Sequence, residues 1–370
     1  MKETIIFFYG LFVLAASCYV IFILSGPLKK VGGRIGKLLH LPEDVIASTF
    51  QALATSGPEI VMAILAATPF ITYETWKALE LGEKAGSGTL NIIFSAMSNL
   101  LGIGAVAIIF MIKKGMVKKD DIIEVKPSVK ISLIFYVLSS TLLFVFVMNK
   151  ELGVIESWVL MIIGIVYVFS QFFIPGIIKK FNNKTDINSE KNNKEDIETE
   201  NGDKYIVPST AVSWIKDFSY NSFIYVFLII GLVIFVREAM GASFRMAIVS
   251  MFSLGGVIIM FTSYISSFPE FMLTYRYIIA NKKSALLGML FGSNVIDLAF
   301  SGFRAIWIGN PMQIYSTGPY GNLLIFYIMV IPVIAILALI GLCMKKIKFK
   351  IAYPLVIFYI FYIISGFILI

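Results

Sequence analysis

The chain has 370 residues, of which 58% are hydrophobic and 15% charged, and its formal net charge is +8. Soluble domains contain about 45–50% apolar residues, so this composition excludes an ordinary soluble domain and predicts an integral membrane protein. One histidine and two cysteines are too few for a histidine-rich metal site or a disulfide framework.

Apolar runs long enough to cross a bilayer recur along the chain, separated by charged or Gly/Pro-rich breaks. The first, at about residues 5–26, continues too far for a cleaved signal peptide and is interpreted as a span. Nine more spans are predicted at about 44–72, 88–112, 129–148, 154–178, 219–236, 245–279, 284–308, 321–343 and 351–370. The polar segment after the fifth run is too hydrophilic to bury a core. It is therefore interpreted as a linker, residues 179–210, between a first half, 1–178, and a second half, 211–370.

Lysine and arginine are concentrated in alternate loops. By the positive-inside rule, these loops and the linker are cytoplasmic and both termini are outside a cell membrane. The net charge then reflects topology and attraction to anionic lipid, and it requires no nucleic acid. Because each half has an odd number of spans, the halves enter the membrane in opposite senses, as in many secondary transporters. The predicted fold is an all-α membrane protein of ten transmembrane helices, built as two inverted five-helix repeats.

A first polar motif lies in the second predicted span of each half. "ATSGPEIVMA" (residues 54–63) and "ISSFPEFMLT" (265–274) both place hydroxyl residues before a proline and a glutamate. The polar residues are Thr55, Ser56 and Glu59 in the first half and Ser266, Ser267 and Glu270 in the second. Since proline removes a helix hydrogen bond, we expect each motif to interrupt its helix. Hydroxyl, carbonyl and carboxylate oxygens are ligands suited to Na⁺ and Ca²⁺.

A second polar motif lies in the next span of each half. "FSAMSNLLG" (residues 94–102) contains Ser95, Ser98 and Asn99, and "GSNVIDLAF" (292–300) contains Ser293, Asn294 and Asp297. Ser95 and Asn99 are four residues apart, as are Ser293 and Asp297, so each pair lies on one helix face. Acids inside membrane spans are costly and indicate function.

These motifs resemble those of the cation/calcium antiporter superfamily, the sodium/calcium exchangers, whose inverted α-repeats carry G-T-S-x-P-E and G-S-N-x-x-[ND]. The resemblance implies a secondary antiporter that exchanges Ca²⁺ for Na⁺ by alternating access at one midplane site, with no enzymatic activity and no cofactor. It implies ion ligands from both halves, with carbonyl ligands seven positions before each glutamate. The implied set is Ala52, Thr55, Ser56, Glu59, Ser95, Asn99, Ser263, Ser266, Ser267, Glu270, Ser293 and Asp297.

The sequence departs from the family pattern at "ATS", "ISS" and "FSA", and several alternatives stay open. The coupling ion can be Na⁺, H⁺ or K⁺. Potassium-dependent exchangers also have an aspartate at the motif position that Asp297 occupies here. A cation channel is a candidate of a different class. An intramembrane hydrolase is disfavoured because no HExxH pair is present. The sequence leaves stoichiometry and oligomeric state open.

Overall fold

The computed structural model describes residues 2–65, 92–123, 125–149, 151–182, 210–249, 263–313, 319–345 and 347–368. Its α-helices are α1 (Lys2–Leu38), α2 (Glu43–Ile46), α3 (Ala52–Leu65), α4 (Ala105–Lys113), α5 (Pro127–Val147), α6 (Val154–Asn182), α7 (Ala211–Val249), α8 (Ser263–Ser266), α9 (Phe268–Ile279), α10 (Lys283–Phe300), α11 (Phe303–Ile308), α12 (Pro319–Cys343) and α13 (Ala352–Ile368). Two π-helical segments, π1 (Ala47–Gln51) and π2 (Ser98–Gly104), and two short strands, β1 (Glu151–Leu152) and β2 (Met312–Gln313), complete the elements used below.

Seven of the described helices are long and apolar enough to cross a membrane. They are Thr4–Leu38, Ile92–Lys113, Pro127–Val147, Val154–Phe173, Ala211–Ala239, Lys283–Trp307 and Ile325–Cys343. Phe349–Ser365 is apolar but shorter. The chain is therefore a mostly helical, multi-pass membrane protein. Most of the predicted linker and parts of the second and seventh predicted spans lie outside the described residues, so the count of ten stays a prediction.

Two helices continue beyond the ends that hydropathy predicts. α1 passes residue 26 and Pro27 and ends at Leu38, and α7 passes residue 236 and ends at Val249. The two helices share an apolar cluster of their own, which contains Leu28 of α1 and Leu232 of α7. Tertiary packing stabilises a helix more than its composition does. The charged residues near the predicted ends therefore do not end either helix.

The two helices that carry the second motifs lie at the centre of the bundle. In the most apolar stretch of each span, the buried share of the residues is 89% in Lys283–Trp307 and 83% in Ile92–Lys113. In the other five spans this share is only 17–44%. Every residue of α10 from Ala285 to Ala299 is buried. The surrounding helices therefore face lipid on one side, and the polar residues of the second motifs are enclosed by protein.

Two loop pairings tie the halves together outside the helices. β1, between α5 and α6, pairs antiparallel with β2, between α11 and α12. The loop before α5 pairs with the loop before α13 through the bridge between Ile122 and Lys348, and the backbone N–H of Ile123 donates to the carbonyl oxygen of Ile347 at 2.8 Å. Loops can pair only on one side of a membrane. In the predicted topology, the first pair of loops is external and the second pair is cytoplasmic.

Candidate functional site

The first motif of the first half does not interrupt its helix, which corrects the expectation from its proline. Residues 54–63 lie within α3, which runs from Ala52 to Leu65. The irregularity lies one turn earlier, in π1. The hydroxyl of Thr55 donates to the carbonyl oxygens of Gln51 and Ala52, both at 3.1 Å. These bonds give carbonyl groups at the junction between π1 and α3 a hydrogen-bond partner.

The first motif of the second half does interrupt its helix, as predicted. α8 ends at Ser266 and α9 begins at Phe268, with Ser267 between them outside helical geometry. The hydroxyl of Ser266 donates to the carbonyl oxygen of Ser263 at 3.2 Å, just as Thr55 donates to Ala52. The two predicted carbonyl positions therefore occupy equivalent places in the two halves.

The serines of the two motifs pair crosswise between the halves. In one pair, the hydroxyl of Ser56 donates to the hydroxyl of Ser293 at 3.2 Å and lies 3.4 Å from the carbonyl oxygen of that residue. In the other, the hydroxyls of Ser95 and Ser267 lie 2.6 Å apart, and Ser267 donates to the carbonyl oxygen of Ser95 at 3.5 Å. Ser56 and Ser267 thus each contact the second motif of the opposite half.

Ser293 connects these pairs to the acidic residues. Its hydroxyl donates to Oε1 of Glu270 at 3.1 Å and accepts from the amide of Asn99 at 3.3 Å. The carboxyl group of Asp297 interacts electrostatically with Glu270, and the hydroxyl of Ser56 lies beside it. Residues from four separate segments of the chain therefore meet at one place inside the bundle.

Several oxygen atoms at this place are buried without a hydrogen bond. Oε2 of Glu270, Oδ1 of Asn99 and both carboxyl oxygens of Asp297 lack a partner within the described part of the chain. A buried polar atom without a partner costs about 1–3 kcal/mol. Oxygen atoms grouped in this way are typical of a site that binds a cation when it is occupied.

Eleven of the twelve predicted ligands are fully buried, and the side chain of the twelfth, Glu59, lies outside the described residues. The direct bonds described above unite Ser56, Ser293, Asn99 and Glu270, and separately Ser95 and Ser267, while Asp297 lies beside Glu270. Thr55 also interacts with Glu270. Ser266 bonds to Ser263 on its own helix, and the carbonyl of Ala52 accepts from Thr55. Across the described side chains, no group of three or more Asp, Glu, His or Cys forms a metal cluster.

The predicted ligand set omits three buried polar residues near these motifs. Asn294 and Ser98 belong to the second motifs, and each has a side chain without a hydrogen-bond partner among the described residues. Tyr136 of α5 interacts with Asn294 and Asp297. Asn294 and Ser98 were visible in the motif pattern, whereas a tyrosine inside an apolar span gives no signal that it faces a polar site.

A family model described as "Sodium/calcium exchanger protein" matches residues 9–173. These residues resemble the sodium/calcium exchanger family. No curated protein sequence matches the chain with significance.

Solved structures of the sodium-calcium exchanger NCX_Mj share the fold over nearly the whole chain. One, soaked with 100 mM Na⁺ and 10 mM Sr²⁺, has a TM-score of 0.64 at 16% identity and covers 97% of this chain and 99% of that one. Another, soaked with 2.5 mM Na⁺ and 0.1 mM Ca²⁺, has a TM-score of 0.59 at 17% identity and covers 99% and 98%. The shared fold therefore includes the second half, which the family model does not cover.

Proposed function

We propose that this chain is a secondary antiporter that moves Ca²⁺ against Na⁺ by alternating access at one midplane site. The observation that carries the proposal is the crosswise pairing of Ser56 with Ser293 and of Ser267 with Ser95. A crosswise pairing of this kind is what an approximate two-fold relation between the halves would produce. A symmetric pair of half-sites is the construction expected of an inverted-repeat transporter.

The loop pairings support the same arrangement. The loop before the fourth span of each half pairs with the loop after the fourth span of the other half. One pairing is assigned to the external face and the other to the cytoplasmic face, which is the relation an inverted repeat produces. This agrees with ten spans, a cytoplasmic linker and external termini in a cell membrane.

The donor set fits cations that prefer oxygen ligands. Glu270 supplies a fully buried carboxylate, and the helix position of Glu59 makes it the counterpart in the first half. Two carboxylates balance the charge of one Ca²⁺, and the serine hydroxyls and the Asn99 amide add neutral oxygens. Because unpaired carboxylates are unfavourable in a low-dielectric interior, the protein is expected to rearrange readily only when the site is occupied, which favours exchange over leak.

Calcium uptake into reconstituted vesicles tests this function. Vesicles carrying the purified chain are loaded with Na⁺, diluted into choline, K⁺ or Na⁺ medium, and assayed for ⁴⁵Ca²⁺ uptake, with separate imposed K⁺ and pH gradients. We expect saturable uptake that requires Na⁺ on the opposite face. Uptake driven only by H⁺ or K⁺ would reassign the coupling ion, and unsaturated flux without a counter-ion would indicate a channel instead.

Two charge-removing substitutions test the site. Glu59→Gln and Glu270→Gln keep the size of the side chain but remove a charge that offsets the dehydration of Ca²⁺, so each is expected to abolish uptake. Glu43→Gln is the matched control, since Glu43 is 40% exposed and pairs with Lys282 at 2.8 Å, away from the site. Near-normal uptake by either folded site variant would rule out the proposed ligands.

A further inference from the structure

A closed ring of buried hydrogen bonds joins π1 to α5 and α6. The hydroxyl of Tyr167 donates to the carbonyl oxygen of Ser48 at 2.7 Å and lies 3.1 Å from the hydroxyl of Ser132. The amide nitrogen of Gln171 donates to the Ser132 hydroxyl at 2.9 Å, and the amide oxygen accepts from the Ser48 hydroxyl at 3.3 Å. None of these four residues is among the twelve predicted ligands, so the ring lies outside the proposed ligand set.

The ring of hydrogen bonds is complete within the described residues. All four side chains are fully buried, and none of their polar atoms lacks a hydrogen-bond partner in that part of the chain. Tyr167 and Gln171 are four residues apart on α6, so they share one face of the helix. A fully satisfied buried network rigidifies the elements that it joins, whereas a missing partner leaves the other groups unpaired in a low dielectric. The ring therefore fixes π1 relative to α5 and α6.

The segment that this ring holds has an unusual geometry. π-helices are rare and are frequently found at functional sites. The carbonyl oxygen that Tyr167 binds belongs to Ser48, which lies in the wide turn of π1. Each residue of a helix corresponds to about 100° of rotation, so the extra residue in this turn sets the direction in which α3 presents Thr55 and Ser56. A change in the geometry of π1 would therefore turn both motif hydroxyls.

The hydrogen bond of Tyr167 also lies against the second half. A Cβ atom on Gly292 would lie 2.3 Å from the carbonyl oxygen of Ser48 and 2.7 Å from the hydroxyl oxygen of Tyr167. The backbone of α10 therefore packs directly on this bond. The next residue, Ser293, accepts a hydrogen bond from the hydroxyl of Ser56 at 3.2 Å. The bond of Tyr167 is thus one residue away from a point at which the two halves meet.

A tyrosine in a corresponding place in the second half does not make such a bond. Phe94 stands at the motif position in the first half that Gly292 holds in the second. Tyr362 of α13 packs against Phe94 with ring centroids 5.8 Å apart, as Tyr167 of α6 packs against Gly292. The hydroxyl of Tyr362 is buried, but it has no hydrogen-bond partner among the described residues. The two tyrosines therefore occupy similar places and differ in what their hydroxyls hold.

We propose that Tyr167 is a positioning residue for the Ca²⁺ ligands. By holding the carbonyl group of Ser48, it keeps π1 in its wide turn against α10 and sets the spacing between Ser56 and Ser293. The other members of the ring orient its hydroxyl. This role rests on the proposed function to the extent that it requires Ca²⁺ at the candidate site, but it does not require transport.

Thermal unfolding of the full chain in detergent tests this role without requiring transport. A ligand that binds only the folded state raises the unfolding temperature with its concentration. A CaCl₂ titration in choline chloride at constant ionic strength therefore gives a half-saturating Ca²⁺ concentration. Tyr167→Phe removes only the hydroxyl and keeps the aromatic ring beside Phe135, with ring centroids 5.5 Å apart. We expect it to raise the half-saturating Ca²⁺ concentration about fivefold to tenfold. Ser132→Ala should raise it less, because the Tyr167 hydroxyl can still reach Ser48.

Uptake measurements separate positioning from loss of fold. Loss of folded protein lowers the maximal rate of ⁴⁵Ca²⁺ uptake without changing the affinity of the molecules that remain folded. Displaced ligands lower the affinity itself, so Tyr167→Phe should raise the half-saturating Ca²⁺ concentration for uptake by the same factor as for thermal unfolding. Hydrogen exchange of the peptide that covers π1 should become faster as well, because the segment is held less firmly.

Tyr362→Phe is the matched control, because it removes a buried hydroxyl that holds no carbonyl group, and it should leave the half-saturating Ca²⁺ concentration unchanged. An unchanged value in folded Tyr167→Phe would overturn the positioning role, as would an equal shift in Tyr362→Phe or no Ca²⁺ response in the unmodified chain. If Tyr167→Phe does not fold, Ser132→Ala decides, and an unchanged value there overturns the role. If Ca²⁺ uptake fails while the Tyr167-dependent Ca²⁺ response persists, the transport proposal falls and the positioning role stands.

Discussion

Gly292, the residue before Ser293, is the place near the candidate site with least room for a side chain. A Cβ atom there would lie 2.3 Å from the carbonyl oxygen of Ser48 in π1 and 2.7 Å from the hydroxyl oxygen of Tyr167. Ordinary contact begins at 3.4 Å, so α10 would have to move away from π1 by about 1 Å. Overpacking of this kind costs about 1–3 kcal/mol. The movement would also displace Ser293 from Glu270, to which it donates at 3.1 Å.

We therefore expect Gly292→Ala to lower the unfolding temperature and to reduce Ca²⁺ uptake at least about tenfold. A displacement of about 1 Å is enough to misalign the groups of a site whose activity depends on geometry. Gly288→Ala, one turn earlier on α10, is the control. Its Cβ would meet the carbonyl oxygen of Asp44 at 3.1 Å, so a shift of a few tenths of an ångström accommodates it. Full uptake and stability in Gly292→Ala, or equal damage in Gly288→Ala, would contradict this expectation.

Three further expectations concern topology, charge and buried hydrogen bonds. A tag at Asn192 should be accessible from the cytoplasm and tags at the termini from outside; labelling of all three from one face would contradict the topology. Asp297→Asn should retain measurable Ca²⁺ uptake with altered Na⁺ and K⁺ dependence, because Asn99 shows that an amide fits this motif position; uptake as low as in Glu270→Gln would make Asp297 a primary Ca²⁺ ligand. Gln171→Leu should lower the free energy of unfolding by about 1–3 kcal/mol, because the Gln171 amide donates to the carbonyl oxygen of Ser128 and the hydroxyl of Ser132. Unchanged thermal unfolding would contradict this expectation.

Much of the site could be predicted because its information is local. The equal spacing of Ser56 and Ser267 from their glutamates, and of Ser95 and Ser293 within the second motifs, predicted corresponding positions in the two halves. The helical class could be predicted for the same reason, because hydropathy is calculated from residues that are neighbours in the sequence. The crosswise bonds between the halves then follow from how the two motifs pack.

Other features depend on contacts between distant segments, which a sequence pattern does not contain. π1 and π2 close their backbone hydrogen bonds over one more residue than an α-helix does, and the sequence pattern does not mark where this happens. α7 continues past residue 236 because it packs along α1. Tyr136 lies in an apolar run where most side chains face lipid or core, and only the position of α10 beside α5 makes it part of a polar group.

The differences between the halves matter as much as their similarity. Gly292 lets π1 approach α10, whereas Phe94 fills the equivalent position with a ring that packs against Tyr362, with centroids 5.8 Å apart. Asp297 carries a carboxylate where Asn99 carries an amide. In an alternating-access protein, the two halves exchange conformations between the outward-open and inward-open states. In the proposed transporter, unequal halves would therefore give the two states unequal free energies, and a transported ion would shift their populations by as much as its affinity differs between them.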